Sequence, residues 1–102
     1  MTTVLPSADC QTMTEVRASV DALDQRIVAL LSERFAYMRA AARIKPERGH
    51  VRDEARKAQV IANAVAKAQE LVIPSDAVAA IWDVLVEASI AYELAEFDRL
   101  KG

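Results

Sequence analysis

Arg34 stands in a row of apolar residues where a charge is out of place. Leu30 and Leu31 precede it and Met38 follows. A guanidinium buried on such a face needs a partner, because an uncompensated buried charge is strongly unfavourable. A stem that packs while the head reaches water satisfies the same pattern. Lys45 lies eleven positions further on, close to the same helical face and about 16 Å along the axis. Two long side chains at that separation can lean toward a small anion held between them, although Lys45 taken alone reads more simply as a solvated lysine favoured by a helix dipole. Asp53 and Arg56 sit three apart in line with Val60, either facing inward or forming a local ion pair. Ser89 and Glu93, four apart, follow Leu85 and Val86 along an apolar stripe, with a surface-facing pair as the alternative. Arg17 flanks the first apolar seam, and nothing in the periodicity separates it from a surface residue paired with Asp21. Taken together these are cations, two carboxylates and a hydroxyl offered from three helical segments. Cys10 and His50 are the only residues of their kinds, so Cys-based metal sites, most zinc sites and Ser-His or Cys-His nucleophile pairs are set aside.

The elements that must position these groups are helical. Only two glycines and three prolines occur among abundant Ala, Leu, Glu, Arg and Lys. Thr12 with Glu15 three residues later forms a capping-box pattern. An apolar series then runs through Val16, Val20, Leu23, Ile27, Leu30, Tyr37, Met38 and Ala41 in steps of three and four, the seam of a helix that packs on another helix. Pro46 ends it, and 46–51 is expected to be a loop. A second helix is expected from about Arg52 to about Leu71, with Val60, Ile61, Ala64, Val65 and Ala68 on one face. Pro74, suited to a first-turn position, opens a third that carries Val78, Ile81, Trp82, Leu85, Val86, Ile90, Tyr92 and Phe97 toward the C-terminus. Residues 1–11 read as a flexible N-terminal arm and 12–102 as a single all-α domain.

Length and charge bound the rest. A chain of 102 residues supports one modest domain with a thin core. Its net charge of −2 argues against a nucleic-acid partner, so anions must be met by local clusters of Arg and Lys. No apolar run approaches the roughly 20 residues needed to span a bilayer, and the N-terminus lacks the pattern of a secretory signal; a soluble, cytoplasmic protein is expected. A first helix of about 32 residues would be roughly 48 Å long, against a radius of gyration of about 13 Å for a compact 100-residue domain. Such a helix would overhang its own partners and leave apolar seam for a second chain to cover, so a homodimer is predicted; a bent helix or a three-helix monomer are the alternatives.

The stretch VRASVDALDQRIVALLSERFAYMRAAARIK, followed by VRDEARK and later by LVEASIAYE, resembles the all-helical class of chorismate mutases over about residues 14–98. The resemblance implies an intertwined homodimer of three-helix chains with no cofactor. It implies a substrate site made of Arg34, Lys45, Asp53, Arg56, Ser89 and Glu93, with Arg17 supplied by the partner chain. Arg17 and Arg34 are about 25 Å apart on one straight helix, too far to share one small ligand within a chain.

The implied reaction is the intramolecular rearrangement of chorismate to prephenate, a step of aromatic amino-acid biosynthesis. It needs no covalent intermediate, only a held reactive conformer and stabilised charge on the ether oxygen. Lys45, Glu93 and Arg34 are the implied catalytic groups. Arg34 and the second chain's Arg17 would fix two carboxylates by paired charge-assisted hydrogen bonds, and Lys45 would donate to the ether oxygen. An ionised Glu93 would repel that oxygen, so the acid is expected to act in its protonated form and activity to fall as pH rises. Two residues depart from the common mutase pattern. Lys57 stands where a glutamate commonly contacts the ring hydroxyl, and Glu93 where many members have glutamine. The short loop after the first helix and Asp9-Cys10 ahead of Arg17 resemble a related branch, the isochorismate pyruvate lyases. A mutase for the 4-amino analogue of chorismate, and a helical interaction module with no chemistry and an exposed Arg34, are further alternatives.

Overall fold

The structure, a computed structural model, describes residues 4–102. Among them it is all helical. Helix α1 spans Met13–Ile44, α2 Glu54–Glu70 and α3 Ser75–Lys101, with short 3-10 turns at Ser7–Asp9 and Arg48–His50. The three expected helices are therefore present, and no strand occurs among the described residues.

Each boundary has a local cause. At the start of α1 the capping box closes in both directions. The Glu15 amide donates to Thr12 Oγ1 at 3.2 Å, and Glu15 Oε1 accepts from the amides of Thr12 at 3.0 Å and Gln11 at 2.9 Å. These donors, the Gln11 amide foremost, hold the Glu15 carboxyl below its ordinary range. The helix ends where Pro46 removes the next N–H.

Helix α2 starts two residues later than expected at Arg52, because Asp53 is its N-cap: its side chain accepts from the Arg56 amide at 3.0 Å. At the other end the Ile73 amide reaches Ala68 O at 3.0 Å and the Val72 amide reaches Gln69 O at 3.2 Å. This is a Schellman closure, in which the residue after the cap turns left-handed; here that residue is Val72, at φ 58°. Pro74 stands one position before α3 rather than in its first turn.

The chain divides into two compact units, one running to Ala36 and the other Tyr37–Gly102. In the first, the backbone of Leu5 is tied to α1 through Ser19, whose hydroxyl accepts from the Leu5 amide at 3.2 Å and donates to the Leu5 carbonyl at 3.1 Å. Residues 4–11, expected as part of a flexible arm, thus hold a 3-10 turn and a two-point tie to α1; residues 1–3 of that arm lie outside the described residues. A cleft of about 410 Å³ lies between this segment and α1, lined by Leu5, Cys10, Val16, Val20, Leu23 and Arg26 among others. The seam residues Val20, Leu23 and Ile27 remain 46–49% exposed.

The second unit holds the buried core. Ala42, Val51, Val86, Ile90 and Phe97 cluster, with Val60 and Leu94 packed against them. Val51, expected in the loop, is turned inward by the 3-10 turn before it, its amide bonding Arg48 O at 3.1 Å. Helices α2 and α3 pack as an antiparallel hairpin, braced by charge. Arg52 pairs with Glu87 at 2.8 Å, and the Lys57 ammonium lies 3.0 Å from both Asp83 and Glu87.

Candidate functional site

The site is built where α1 ends against the second half of α3. Val86, Ile90 and Phe97 turn one face of α3 into the core. Ser89 and Glu93 lie on the same face and are each only 4% exposed, so they are not the surface-facing pair that their spacing also permitted. Ser89 donates its hydroxyl to Leu85 O at 2.7 Å, one turn back along its own helix. Glu93 is met by Lys45, whose ammonium donates to Oε2 at 2.7 Å. A carboxylate this buried is tolerable only with such a partner. The Lys45 side chain keeps about a third of its surface in solvent, so the pair sits at the edge of the core with one side open. Nearby, Arg39 donates to the Tyr92 hydroxyl at 2.9 Å.

The remaining expected residues are placed differently. Asp53 and Arg56 are exposed. The Asp53 carboxylate is occupied by the cap, and the Arg56 guanidinium donates to Gln59 at 2.7 Å on its own helix. The inward position at the start of α2 belongs instead to Lys57, whose side chain is 20% exposed. It continues the stripe of Val60, Ile61 and Ala64 at helical spacing, the signal by which it can be found. Glu87 and, after it, Asp83 hold its ammonium by hydrogen bonds, raising its affinity for its proton above the ordinary lysine value. The Glu87 carboxyl, hydrogen-bonded by Arg52 and Lys57, is lowered to about 2.

In the first unit, Arg34 is half-buried, unlike the exposed Arg34 expected of a simple interaction module, and Arg17 is exposed. Lys45 and Glu93 are thus brought together, with Ser89 one turn away on the same helix face.

Two contacts not foreseen in the sequence anchor the segment that carries Lys45. Arg48 forms a two-pronged pair with Asp98, Nε to Oδ1 at 2.9 Å and Nη2 to Oδ2 at 3.2 Å. The Lys101 ammonium donates to the Lys45 carbonyl oxygen. Their partners lie 50 and 56 positions apart in sequence, beyond what helical periodicity can report.

As a chemical device, this is a hydrogen-bond donor and a carboxyl group facing each other at an opening, on a scaffold with few other polar groups in its core. It can hold and polarise an oxygen atom of a small molecule. No curated protein matches the chain. The family described as chorismate mutase type II matches residues 16–94, a span that takes in Arg17, Arg34, Lys45, Asp53, Arg56, Ser89 and Glu93. With most of its length matched, and with most of α1, all of α2 and most of α3 inside that match, the chain belongs to the chorismate mutase type II family.

Proposed function

We propose that the protein is a chorismate mutase that converts chorismate to prephenate in a site completed by a second copy of the chain. The observation that carries this reading is the Lys45–Glu93 pair, 2.7 Å apart at an opening on the buried face of α3. A rearrangement in which one carbon–oxygen bond breaks while one carbon–carbon bond forms, with no atoms gained or lost, asks for this kind of site. The substrate must be held in its reactive conformer, and the ether oxygen must be met by donors as charge grows on it. Lys45 supplies one donor. Glu93 supplies the second only when it carries a proton, which requires it to give up its ion pair with Lys45. Arg34, with Arg17 from the second copy, grips the two carboxylates, and Ser89, Asp53 and Arg56 complete the surroundings once substrate is bound. For Asp53 and Arg56 this requires the guanidinium to leave Gln59 and the carboxylate to serve the cap and the ligand together.

A homodimer is supported by the half-exposed seam of Val20, Leu23 and Ile27, an apolar stripe at helical spacing that a copy of itself would cover. No described helix is long and apolar enough to cross a membrane, in keeping with work on a soluble intermediate of aromatic biosynthesis in the cytoplasm.

One observation favours a second reading, isochorismate pyruvate lyase. Lys57 brings an ammonium, already held by Asp83 and Glu87, to a place where mutases of this class commonly present a carboxylate to the substrate's ring hydroxyl. Incubating the purified protein separately with chorismate and with isochorismate decides between them. Prephenate from chorismate supports the mutase; salicylate and pyruvate from isochorismate, without prephenate, support the lyase.

A further inference from the structure

Lys45 leaves α1 where a helix is weakest. Its amide is the last to reach back, to Ala41 O at 2.9 Å. Pro46 follows, with no N–H and a steric bias against helical geometry in the residue before it. The carbonyls of a final turn have no donors within their own helix. The Lys45 carbonyl receives one from the far end of α3, where the Lys101 ammonium donates to it. Lys101 is steered there by Phe97, a core residue whose ring centroid lies 4.7 Å from the ammonium nitrogen. Three positions beyond Lys45, Arg48 opens the 3-10 turn and clamps Asp98 with two parallel hydrogen bonds. The third attachment is the Lys45 ammonium itself, on Glu93.

The stretch 45–48 is therefore fastened to α3 at Glu93, Asp98 and Lys101. The Arg48–Asp98 pair is about half exposed on both sides, and such pairs add little to global stability. What it fixes is the root of a long, flexible side chain, where a small displacement of the backbone becomes a larger one at the ammonium.

We propose that the last turns of α3 act as a clasp on the 45–48 segment, with Arg48, Asp98 and Lys101 as positioning residues that aim the Lys45 ammonium at Glu93. The catalytic consequence rests on Lys45 being the donor to the ether oxygen; the positioning itself does not.

The test uses the full chain and two independent readouts. The first is the ammonium 15N signal of Lys45 without substrate, assigned by its loss in Lys45→Arg. It is expected to be ordered in the wild type, disordered in Arg48→Ala and in Asp98→Ala, and ordered again in the charge-swapped R48D/D98R. The second is turnover of whichever substrate the wild type accepts. Arg48→Ala is expected to lower kcat about tenfold, since small misplacements of a catalytic group carry large rate penalties, with KM changed by less than about twofold. In a Lys45→Ala background the same substitution should have no further effect on kcat. Lys101→Met, which keeps the stem over Phe97 and removes the donor, repeats the first readout at a second point of the clasp.

An ordered Lys45 ammonium in Arg48→Ala and Asp98→Ala, or a kcat loss that persists in full without Lys45, overturns the proposal. A wild type that turns over neither substrate overturns the functional reading, and the ammonium signal then decides the clasp by itself.

Discussion

An ammonium group carries three donors, and Lys45 commits one of them to Glu93 at 2.7 Å. The others stay available on the open side of the pair, which is what a donor to an incoming oxygen requires. Replacing Lys45 with alanine removes that donor, and turnover is expected to fall by about 100-fold or more, the scale of losing one oxyanion-type hydrogen bond; a steady-state assay showing less than about tenfold would count against the assignment. Glu93→Gln is expected to keep most of the activity, because the amide still presents a donor toward Lys45's side of the site, whereas Glu93→Ala should lose it and also leave Lys45 unpaired. At this scale the sequence was partly legible. Glu93 and Ser89 lie inward as the apolar stripe at helical spacing allowed, whereas periodicity alone read Lys45 as a solvated lysine. Asp53 follows the same spacing and yet faces solvent, since an N-cap residue lies outside the helix whose period was being counted; Arg56, inside the helix, lies one position to the outer side of the buried stripe and bonds Gln59. Lys57 carries the stripe in their place.

The helices themselves were easier to foresee than the residues that close them. Thr12 and Glu15 announced α1, and Pro46 its end, because capping and proline act within a few positions of sequence. The end of α2 was not announced by a glycine: Val72 takes the left-handed position at φ 58° and is 90% exposed. A β-branched side chain is poorly suited to that conformation. Val72→Gly should remove the strain, less the entropy glycine loses on folding, for a net gain of about 0.5–1 kcal/mol, read as a higher denaturant midpoint with an unchanged slope.

The α2–α3 hairpin makes a second prediction at this scale. Arg52 and Lys57 hold the Glu87 carboxyl down to about 2 from an ordinary 4.5. A carboxyl whose folded-state value is depressed contributes stability that is fully present above its unfolded value and is lost as pH falls toward the folded one. The stability gap between wild type and Glu87→Gln is therefore expected to be widest above pH 4.5 and to close as pH drops toward 2, measured by urea titration across that range. Salt should narrow the gap at neutral pH, because the pairs lie near the surface.

At the scale of the whole molecule, the proposed site takes Lys45 from one copy and Arg17 from another. If so, two inactive proteins should rescue each other. A mixed dimer of Arg17→Ala and Lys45→Ala chains has one site with both defects and one with neither. After unfolding and refolding an equal mixture, random pairing should return about a quarter of the wild-type specific activity, while each variant alone stays near background. Activity no greater than the sum of the two alone would mean that Arg17 serves its own chain or none. The length of α1 was legible in the sequence, from an unbroken seam and two end signals. Along that length Val20, Leu23 and Ile27 are about half exposed. What periodicity could not supply were the long-range ties of Arg48 and Lys101, which depend on the two ends of the second unit meeting.

The one thiol of the chain, Cys10, sits half-buried beside the first helical turn of the structure, its Sγ 3.7 Å from the Pro6 carbonyl oxygen. A nitroxide attached there would mark each polypeptide once without any change to the sequence. Paired chains would then give dipolar coupling between two identical labels, at a spacing fixed by their symmetry axis, and solitary chains would give none.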